Sequence, residues 1–254
     1  MFISPEHPRK YSYNPEPRLS AAQLAEYLTA AAPRRSAIIR DAKFPKTAIV
    51  AKYREARQSI GRHLCGGPDG RDHLGEAIER LSNRGASAAS DWTVTDCRDS
   101  VTALKLFQKS HGDLVQRQTT FRGVTGALPL LTIARVGVSV GLDATAHRRG
   151  QNGAEHVGGV LLMFSKKLAD DPDAQERATV GALLCLMFTE QHLKHAGVAD
   201  PKLCFTLDIF GQRVIHAPAG RTKRTAALQH SCEEIALRWP GTAAPKDYDG
   251  PSWR

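Results

Sequence analysis

VGGVLLMFS, at residues 157–165, is an apolar run of strand length, and with the two segments after it this run decides the fold. Residues 173–195 follow as a long helix whose middle, VGALLCLMF, is apolar nearly all round, which is typical of a buried helix. LCFTLDIF, at residues 203–210, is a second apolar strand. A strand, a crossover helix and a further strand predict parallel neighbours in a sheet that helices cover.

The segments on either side of this unit extend the sheet. PLLTIARVGVSV, at residues 129–140, is rich in β-branched residues and predicts strand structure, and residues 141–153 predict a polar loop. RVIHA, after a turn at Gly211, predicts one more strand, and residues 222–239 predict a final amphipathic helix. The fold class is therefore α/β, with a mixed β-sheet flanked by helices, preceded by a basic helical unit.

The N-terminal quarter predicts three short helices. Residues 1–18 contain four prolines and predict an irregular arm, after which Ser20 is placed to cap a first helix. A second helix is expected over residues 33–44, and a third from Lys46 to Leu64. Residues 19–64 then form a three-helix unit with a basic outer surface. Helix-turn-helix recognition and a plain helical bundle both remain open for it.

A domain boundary is expected where composition changes. SNRGASAAS, at residues 82–90, is small, polar and without periodicity, which is typical of a linker. It divides a basic helical domain, residues 19–90, from an α/β domain, residues 91–239. Residues 240–254 are rich in proline, glycine and charge, and predict a loose tail.

The charge distribution indicates a polyanionic partner. The formal net charge is +9. Residues 1–62 contain 12 basic and 5 acidic side chains and so account for most of this positive charge. A basic excess concentrated in one segment is typical of a phosphate-binding face. We expect nucleic acid as the partner, with DNA favoured over RNA, and protein partners in a larger assembly. The side chains expected to contact phosphate are Arg34, Arg35, Arg40, Lys43, Lys46, Lys52, Arg54, Arg57, Arg148 and Arg149.

Several classes of protein are disfavoured. The five cysteines are widely spaced without a CxxC pair, which predicts reduced thiols in a cytoplasmic protein. The first residues lack the apolar core of a secretory signal, and the longest apolar run is too short to cross a bilayer. No P-loop or GxGxxG pattern occurs, which argues against a P-loop nucleotidase and a dinucleotide enzyme.

One combination of residues suggests phosphodiester chemistry. Gly141 and Asp143 follow the strand of residues 129–140, and Lys166 ends the next strand. This order resembles the core of the PD-(D/E)XK nuclease superfamily, especially its RecB-like exonuclease branch, over residues 95–218. The resemblance implies that Asp143 binds Mg²⁺ or Mn²⁺, that Lys166 orients the attacking water, and that the following helix supplies Gln191.

The chain departs from that family at the second acid. Phe164 stands two positions before Lys166, where the family has an acidic residue, so Glu155, Glu190 or Asp208 would have to complete the site. The expected metal ligands are then Asp143, Glu155 and Asp208, although strand alternation favours an outward Asp208. Asp143 as a simple turn residue and Lys166 as a solvating strand end remain open.

Two functional hypotheses follow from these residues. The first is a metal-dependent phosphodiesterase with catalytic residues Asp143, Lys166, Glu155, Asp208 and Gln191, which fold-level analogy would place in microbial defence or mobile-element biology. The second is a non-catalytic subunit that binds nucleic acid or assembles with other proteins. Phe164 favours the second, because its side chain cannot bind a metal ion.

Overall fold

The structure is a computed structural model that describes residues 9–47, 52–66, 71–114, 119–151, 153–164, 166 and 172–253. Within these ranges the chain forms seven α-helices and two β-sheets. The helices are α1 (Ala21–Thr29), α2 (Ala32–Lys43), α3 (Arg54–Cys65), α4 (Arg71–Ser87), α5 (Asp91–Leu114), α6 (Pro172–His192) and α7 (Thr222–Arg238).

The strands make a small sheet and a larger mixed one. They are β1 (Arg18–Ser20), β2 (Thr120–Arg122), β3 (Leu131–Ile133), β4 (Val136–Ser139), β5 (Ala144–Arg149), β6 (Glu155–Met163), β7 (Val198–Ala199), β8 (Phe205–Asp208) and β9 (Arg213–His216). The small sheet has the order β1-β4-β3. The large sheet has the order β2-β5-β6-β8-β9, with β7 pairing beside β6.

The expected crossover forms the centre of the large sheet. β6 and β8 are parallel, and α6 connects them, whereas β5 and β9 run antiparallel to their neighbours. An α/β architecture with mixed sheets flanked by helices is therefore confirmed. The more specific PD-(D/E)XK fold stays a prediction.

Two hydrophobic cores lie on opposite faces of the large sheet. α3, α4 and α5 bury side chains such as Ile60, Leu81 and Phe107 with Val160 and Leu207 of the sheet. On the other face, α6 buries its apolar middle together with α1, α2, α7 and the small sheet. A helix covered on all sides in this way needs the nearly uniform apolar surface that residues 180–188 provide.

Local signals placed several helix ends correctly. Ser20 caps α1, with its hydroxyl accepting a hydrogen bond from the Gln23 amide while the Gln23 side chain accepts one from the Ser20 amide. α2, α6 and α7 lie within a few residues of their predicted bounds. None of the helices that the structure describes combines the length and apolar character needed to cross a membrane.

Other local predictions are wrong. The third helix begins at Arg54 and not at Lys46, and residues 48–51 lie outside the described part of the chain. α4 continues to Ser87, through most of the expected linker, and α5 starts at Asp91. The expected loop at residues 141–153 contains β5, which pairs with β6 over its whole length.

The N-terminal helices do not form one three-helix unit. α1 and α2 belong to the core around α6, and α3 belongs to the core on the opposite face of the sheet. Hydrophobic side chains of all three helices pack directly with residues of the α/β part. The division into domains at residue 90 stays a prediction, but each core joins residues from both sides of it.

The C-terminal segment packs against the N-terminal arm instead of forming a loose tail. The Asp249 carboxylate accepts hydrogen bonds from the amides of Lys10 and Tyr11, and the Trp253 ring lies 5.4 Å from the Phe44 ring. Residues 9–17 are irregular, as expected, apart from an isolated bridge between Tyr11 and Lys46.

Candidate functional site

Three residues of the predicted catalytic set lie at one edge of the large sheet. Asp143 immediately precedes β5, Lys166 follows β6, and Asp208 ends β8. Because β5 is antiparallel to β6 and β6 is parallel to β8, the start of β5 and the ends of β6 and β8 meet at the same edge. We call this edge, with Asp143, Lys166 and Asp208, the carboxylate edge.

The Asp143 carboxylate is held by an arginine from α3. Arg57 Nη1 lies 2.9 and 2.7 Å from the two carboxylate oxygens, and the Leu162 amide donates to the second oxygen at 2.7 Å. Burial raises the pKa of Asp143, and the charge and hydrogen bonds of Arg57 and Leu162 oppose that rise. Both oxygens of Asp143 therefore already have donors.

Asp208 is buried, which contradicts the expected outward orientation. Its side chain is 1% exposed, and it accepts hydrogen bonds from the Arg213 guanidinium and the Gly211 amide, both at 3.0 Å. Gly211 has a clear local reason, because a Cβ there would lie 2.1 Å from Asp208 Oδ2. The Asp208 carboxylate thus accepts hydrogen bonds from two residues of the β8–β9 turn. These hydrogen bonds offset the cost of burying its charge.

Lys166 is paired with an acid that sequence reasoning missed. Its Nζ lies 2.5 Å from Asp99 Oδ1, and Lys52 Nζ lies 2.8 Å from Asp99 Oδ2. Burial opposes the ionisation of Asp99, but the hydrogen bonds from Lys166 and Lys52 hold its pKa below the ordinary value. Lys166 therefore neutralises a carboxylate of α5.

Phe164 has a packing role at the position of the missing family acid. Its ring stacks on Tyr53 at a centroid distance of 5.1 Å, and the Arg57 guanidinium lies 5.3 Å from its centroid. Tyr53 has a left-handed backbone with φ 62°, and its amide donates to Asp96. The aromatic ring thus supports the arginine that holds Asp143.

The remaining catalytic candidates lie away from the carboxylate edge. Glu155 begins β6, at the opposite end of that strand, where it pairs in register with Arg149. Gln191 is exposed near the end of α6, which runs back from the carboxylate edge, and the neighbouring Glu190 pairs with Arg221 at 2.7 Å. The predicted grouping of Glu155 and Gln191 with Asp143 is therefore wrong.

The acids of the carboxylate edge do not fit a divalent cation. Asp143 and Asp208 each point their oxygens at a guanidinium, which is a cation, and at a backbone amide. Mg²⁺ and Mn²⁺ require several oxygen lone pairs directed at one point. Within the described ranges, no group of three His, Cys, Asp or Glu side chains could hold a metal ion.

Most of the predicted phosphate contacts are occupied within the protein. Five of the ten pair with the protein's own acids, namely Arg34 with Glu26, Arg40 with Asp41, Lys52 with Asp99, Arg57 with Asp143 and Arg148 with Asp200. Arg35 donates to the carbonyls of Tyr27 and Leu28, and Lys43 is 2% exposed. Lys46, Arg54 and Arg149 are exposed. The basic side chains expected to form a phosphate-binding face are therefore divided, within the described residues, between the protein's own acids and carbonyls and the solvent.

A different surface, lined by four arginines and by the acids Glu55, Glu76 and Asp96, lies between α3, α4 and α5. These helices line an open groove of about 670 Å³. Arg54, Gln58 and Arg62 recur every four residues along α3, so they share the helix face that lines the groove. Trp92 lies at the start of α5 in the same lining and is 45% exposed. We call this feature the helical groove.

Ion pairs position the opposite wall of the helical groove. Glu55 of α3 lies 2.8 Å from Arg84 Nη1 and 3.5 Å from Arg80 Nε, which both belong to α4. Arg54 and Arg62 are exposed, and neither has an acidic partner among the described residues. Their charges are therefore directed at solvent in the groove.

Only part of this groove could be found from sequence. Arg54 was expected on the outer surface of its helix, and that placement is confirmed. Arg80, Arg84 and Trp92 were missed because they lie within or beside the supposed linker, where no packing of α4 on α5 was expected. The available signal was a tryptophan that follows two arginines closely in sequence.

Comparison with known proteins adds no family to this description. Neither the family models nor the curated proteins contain a significant match to the chain.

Proposed function

We propose that this protein binds nucleic acid and that the helical groove takes a single strand. The observation that carries the proposal is the combination of Arg54, Arg62 and Trp92 in one groove, with both arginines exposed and without acidic partners among the described residues. Exposed guanidinium groups bind phosphate, and an exposed indole stacks on a base.

The spacing suits a strand better than an isolated phosphate. Arg54 and Arg62 are separated by eight residues of one helix, which is about 12 Å along its axis. One phosphate group cannot span that distance, so the two arginines are suited to different phosphates of one chain. Trp92 favours a single strand over a duplex, because the faces of stacked bases are not accessible in a duplex.

The binding test uses fluorescently labelled oligonucleotides of about twelve residues, a length within the range that single-strand-binding modules cover. We expect single-stranded DNA to bind more tightly than duplex DNA, and Trp92→Leu to weaken single-strand binding by about tenfold through loss of stacking. Tryptophan fluorescence should fall on binding, and Trp92→Leu should abolish the change, because Trp239 is 2% exposed and Trp253 packs on Phe44 outside the groove lining. Single-stranded RNA in the same assay separates DNA from RNA preference.

The matched controls are arginines whose charge is already paired. Arg34→Gln and Arg40→Gln remove guanidinium groups that bind Glu26 and Asp41, and they should leave affinity nearly unchanged. Arg54→Gln and Arg62→Gln should weaken binding. Equal effects of all four substitutions would mean that the whole surface attracts the oligonucleotide and that the groove is not its site.

We propose binding without cleavage as the function, in preference to a metal-dependent phosphodiesterase. The pairing of Asp143 with Arg57 and of Asp208 with Arg213 supports this choice. Incubation of the oligonucleotides with Mg²⁺ or Mn²⁺ tests it directly. Metal-dependent cleavage that is lost in Asp143→Asn and in Lys166→Met would establish the phosphodiesterase instead.

A further inference from the structure

Trp92 and Asp96 lie one turn apart on the same face of α5. They are four residues apart in one helix, so their side chains are neighbours, about 6 Å apart along the helix axis. Both side chains line the helical groove. Trp92 presents an aromatic face there and Asp96 presents a carboxylate, so a base that stacks on Trp92 has an acid beside its edge.

The Asp96 carboxylate is held in place, and one of its oxygens remains available. Asp96 is 7% exposed, and its Oδ1 accepts a hydrogen bond from the Tyr53 amide at 2.8 Å. Tyr53 has a left-handed backbone with φ 62°, which a residue with a side chain adopts only where its surroundings hold it. Among the residues that the structure describes, none donates a hydrogen bond to Asp96 Oδ2. That oxygen can therefore accept hydrogen bonds from a ligand in the groove.

The arginines near Asp96 leave its charge without an ion pair. Arg84 of α4 donates to Glu55 at 2.8 Å and to Cys97 Sγ at 3.2 Å. Arg54 begins α3, next to the residue whose amide binds Asp96, and it has no acidic partner in the described part of the chain. The same end of the groove therefore contains an exposed guanidinium, an aromatic face and a carboxylate that lacks a counterion.

We propose that the helical groove prefers strands that contain guanine, with the base stacked on Trp92 and its Watson–Crick edge directed at Asp96. This inference rests on the proposed function, because it specifies the strand that the groove takes. Guanine presents two adjacent donors on that edge, N1–H and the N2 amino group, and an ionised carboxylate only accepts. Adenine and cytosine have one amino group beside a ring acceptor, and thymine and uracil have one N–H between two carbonyl oxygens. Arg54 contacts the phosphate of the same nucleotide.

The test uses unlabelled pentanucleotides that compete with a labelled thymine strand. They contain thymine at every position except the central one, which is guanine, hypoxanthine or adenine. All three bases are purines and stack alike, so their comparison isolates the hydrogen bonds to the edge. We expect guanine to compete about tenfold more strongly than adenine, because a bidentate contact is lost. Hypoxanthine keeps N1–H and lacks the amino group, so it should fall between them.

Two variants of α5 locate the recognition. Asp96→Asn keeps an oxygen for the Tyr53 amide and replaces the other oxygen with an amino donor, so it should bring the ratio of guanine to adenine affinity close to one. Asp91 is an exposed acid of the same helix outside the groove lining. Asp91→Asn removes the same charge and should preserve the ratio. Thermal unfolding of both variants reports whether they fold.

The outcomes separate this inference from the proposed function. Equal competition by the guanine and adenine strands on the wild-type protein would overturn the guanine preference and leave strand binding in place. A preference that persists in folded Asp96→Asn would assign recognition to another residue and overturn the role of Asp96. Failure of every strand to bind would overturn the proposed function and the preference together. The comparison of the three purines on the wild-type protein does not depend on any variant.

Discussion

Arg57 and Asp143, separated by 86 residues in sequence, form a pair in which Arg57 Nη1 contacts both carboxylate oxygens, at 2.9 and 2.7 Å. The same guanidinium donates through Nη2 to the Leu162 carbonyl at 2.8 Å and lies over the Phe164 ring. One side chain of α3 thereby connects the start of β5 with the end of β6, across the edge where a metal site was expected.

Removal of Arg57 should destabilise the protein more at neutral than at acidic pH. Arg57→Met leaves the Asp143 carboxylate, 7% exposed, without its cation, at a cost of about 2 kcal/mol after allowance for the exposure of Arg57. The pKa of Asp143 is already raised by burial, so the folded state holds its proton more readily than the unfolded state. The contribution of Asp143 to the free energy of unfolding therefore falls as the pH rises through its folded-state pKa.

The measurement is urea unfolding of wild type and Arg57→Met at pH 4 and pH 7. Loss of Arg57 raises the Asp143 pKa further, so the difference between the proteins should be larger at pH 7. The double variant Arg57→Met/Asp143→Leu is the control and should recover part of the loss, because no uncompensated charge remains. An identical deficit at both pH values would contradict the role given to Asp143.

Lys43 should contribute to stability and not to nucleic-acid affinity. Its Nζ donates to the carbonyls of Trp239, Pro240 and Thr242 at 2.8, 3.2 and 3.0 Å. Lys43→Met leaves these acceptors without their donor, at a cost of about 3 kcal/mol. Thermal unfolding should show a lower Tm, while Lys46→Met, at an exposed lysine nearby, should change stability by less than about 0.5 kcal/mol.

Salt dependence should identify the residues that neutralise phosphate. For a single strand, each phosphate contact contributes about 0.7 to the slope of log K against log salt concentration. Arg54→Gln and Arg62→Gln together should therefore reduce that slope by about 1.4. Arg34→Gln/Arg40→Gln, the paired-charge control, should preserve it. A slope that is reduced only in Arg34→Gln/Arg40→Gln would show that the nucleic acid binds α2 and not the helical groove.

Native cysteines should be largely unreactive. Burial raises the pKa of Cys204 to about 11 and of Cys232 to about 12, and it raises the Cys185 pKa well above its ordinary value. Because the thiolate is the reactive form, these thiols should resist a disulfide reagent at pH 8. Burial raises the pKa of Cys65 as well, but its side chain is only half-buried and should react before the others, whereas Cys97 is 1% exposed.

Titration with a chromogenic disulfide should release about one equivalent quickly from the native protein and five after denaturation, the number of cysteines in the chain. Cys65→Ser should abolish the fast phase. Rapid reaction of two or more thiols in that variant would show that the core around α6 opens readily.

Secondary structure was predictable wherever the signal was local. The apolar surface of residues 180–188 indicated a buried α6, and Ser20 indicated the start of α1. The prediction of a loop after Gly141 was wrong. The polar residues of ATAHRR suggested a loop, but they lie on one face of β5, which pairs between β2 and β6 near one side of the large sheet. The supposed linker failed because small residues at 82–87 are compatible with a helix that packs on α5.

The candidate site was predictable only in part. The structure brings Asp143, Lys166 and Asp208 to one edge, but Asp143 reaches it at the start of the unpredicted strand β5, because the predicted strand before it belongs to the small sheet. Their partners could not be derived, because Asp99 lies 67 residues from Lys166 and Arg57 lies 86 residues from Asp143. The sequence predicted a surplus of positive charge in the first quarter of the chain without showing which charges would be paired.

The sequence by itself determined α1, α2, α6 and α7, the crossover between parallel strands and the total charge, because periodicity, capping and composition act over a few residues. Tertiary structure decided which charges remain available to a partner. Ion pairing depends on distances between segments that are remote along the chain, and a buried acid must find a donor wherever the packed core provides one. That requirement pairs Arg57 and Lys52 with buried acids and leaves Arg54 and Arg62 directed into the groove.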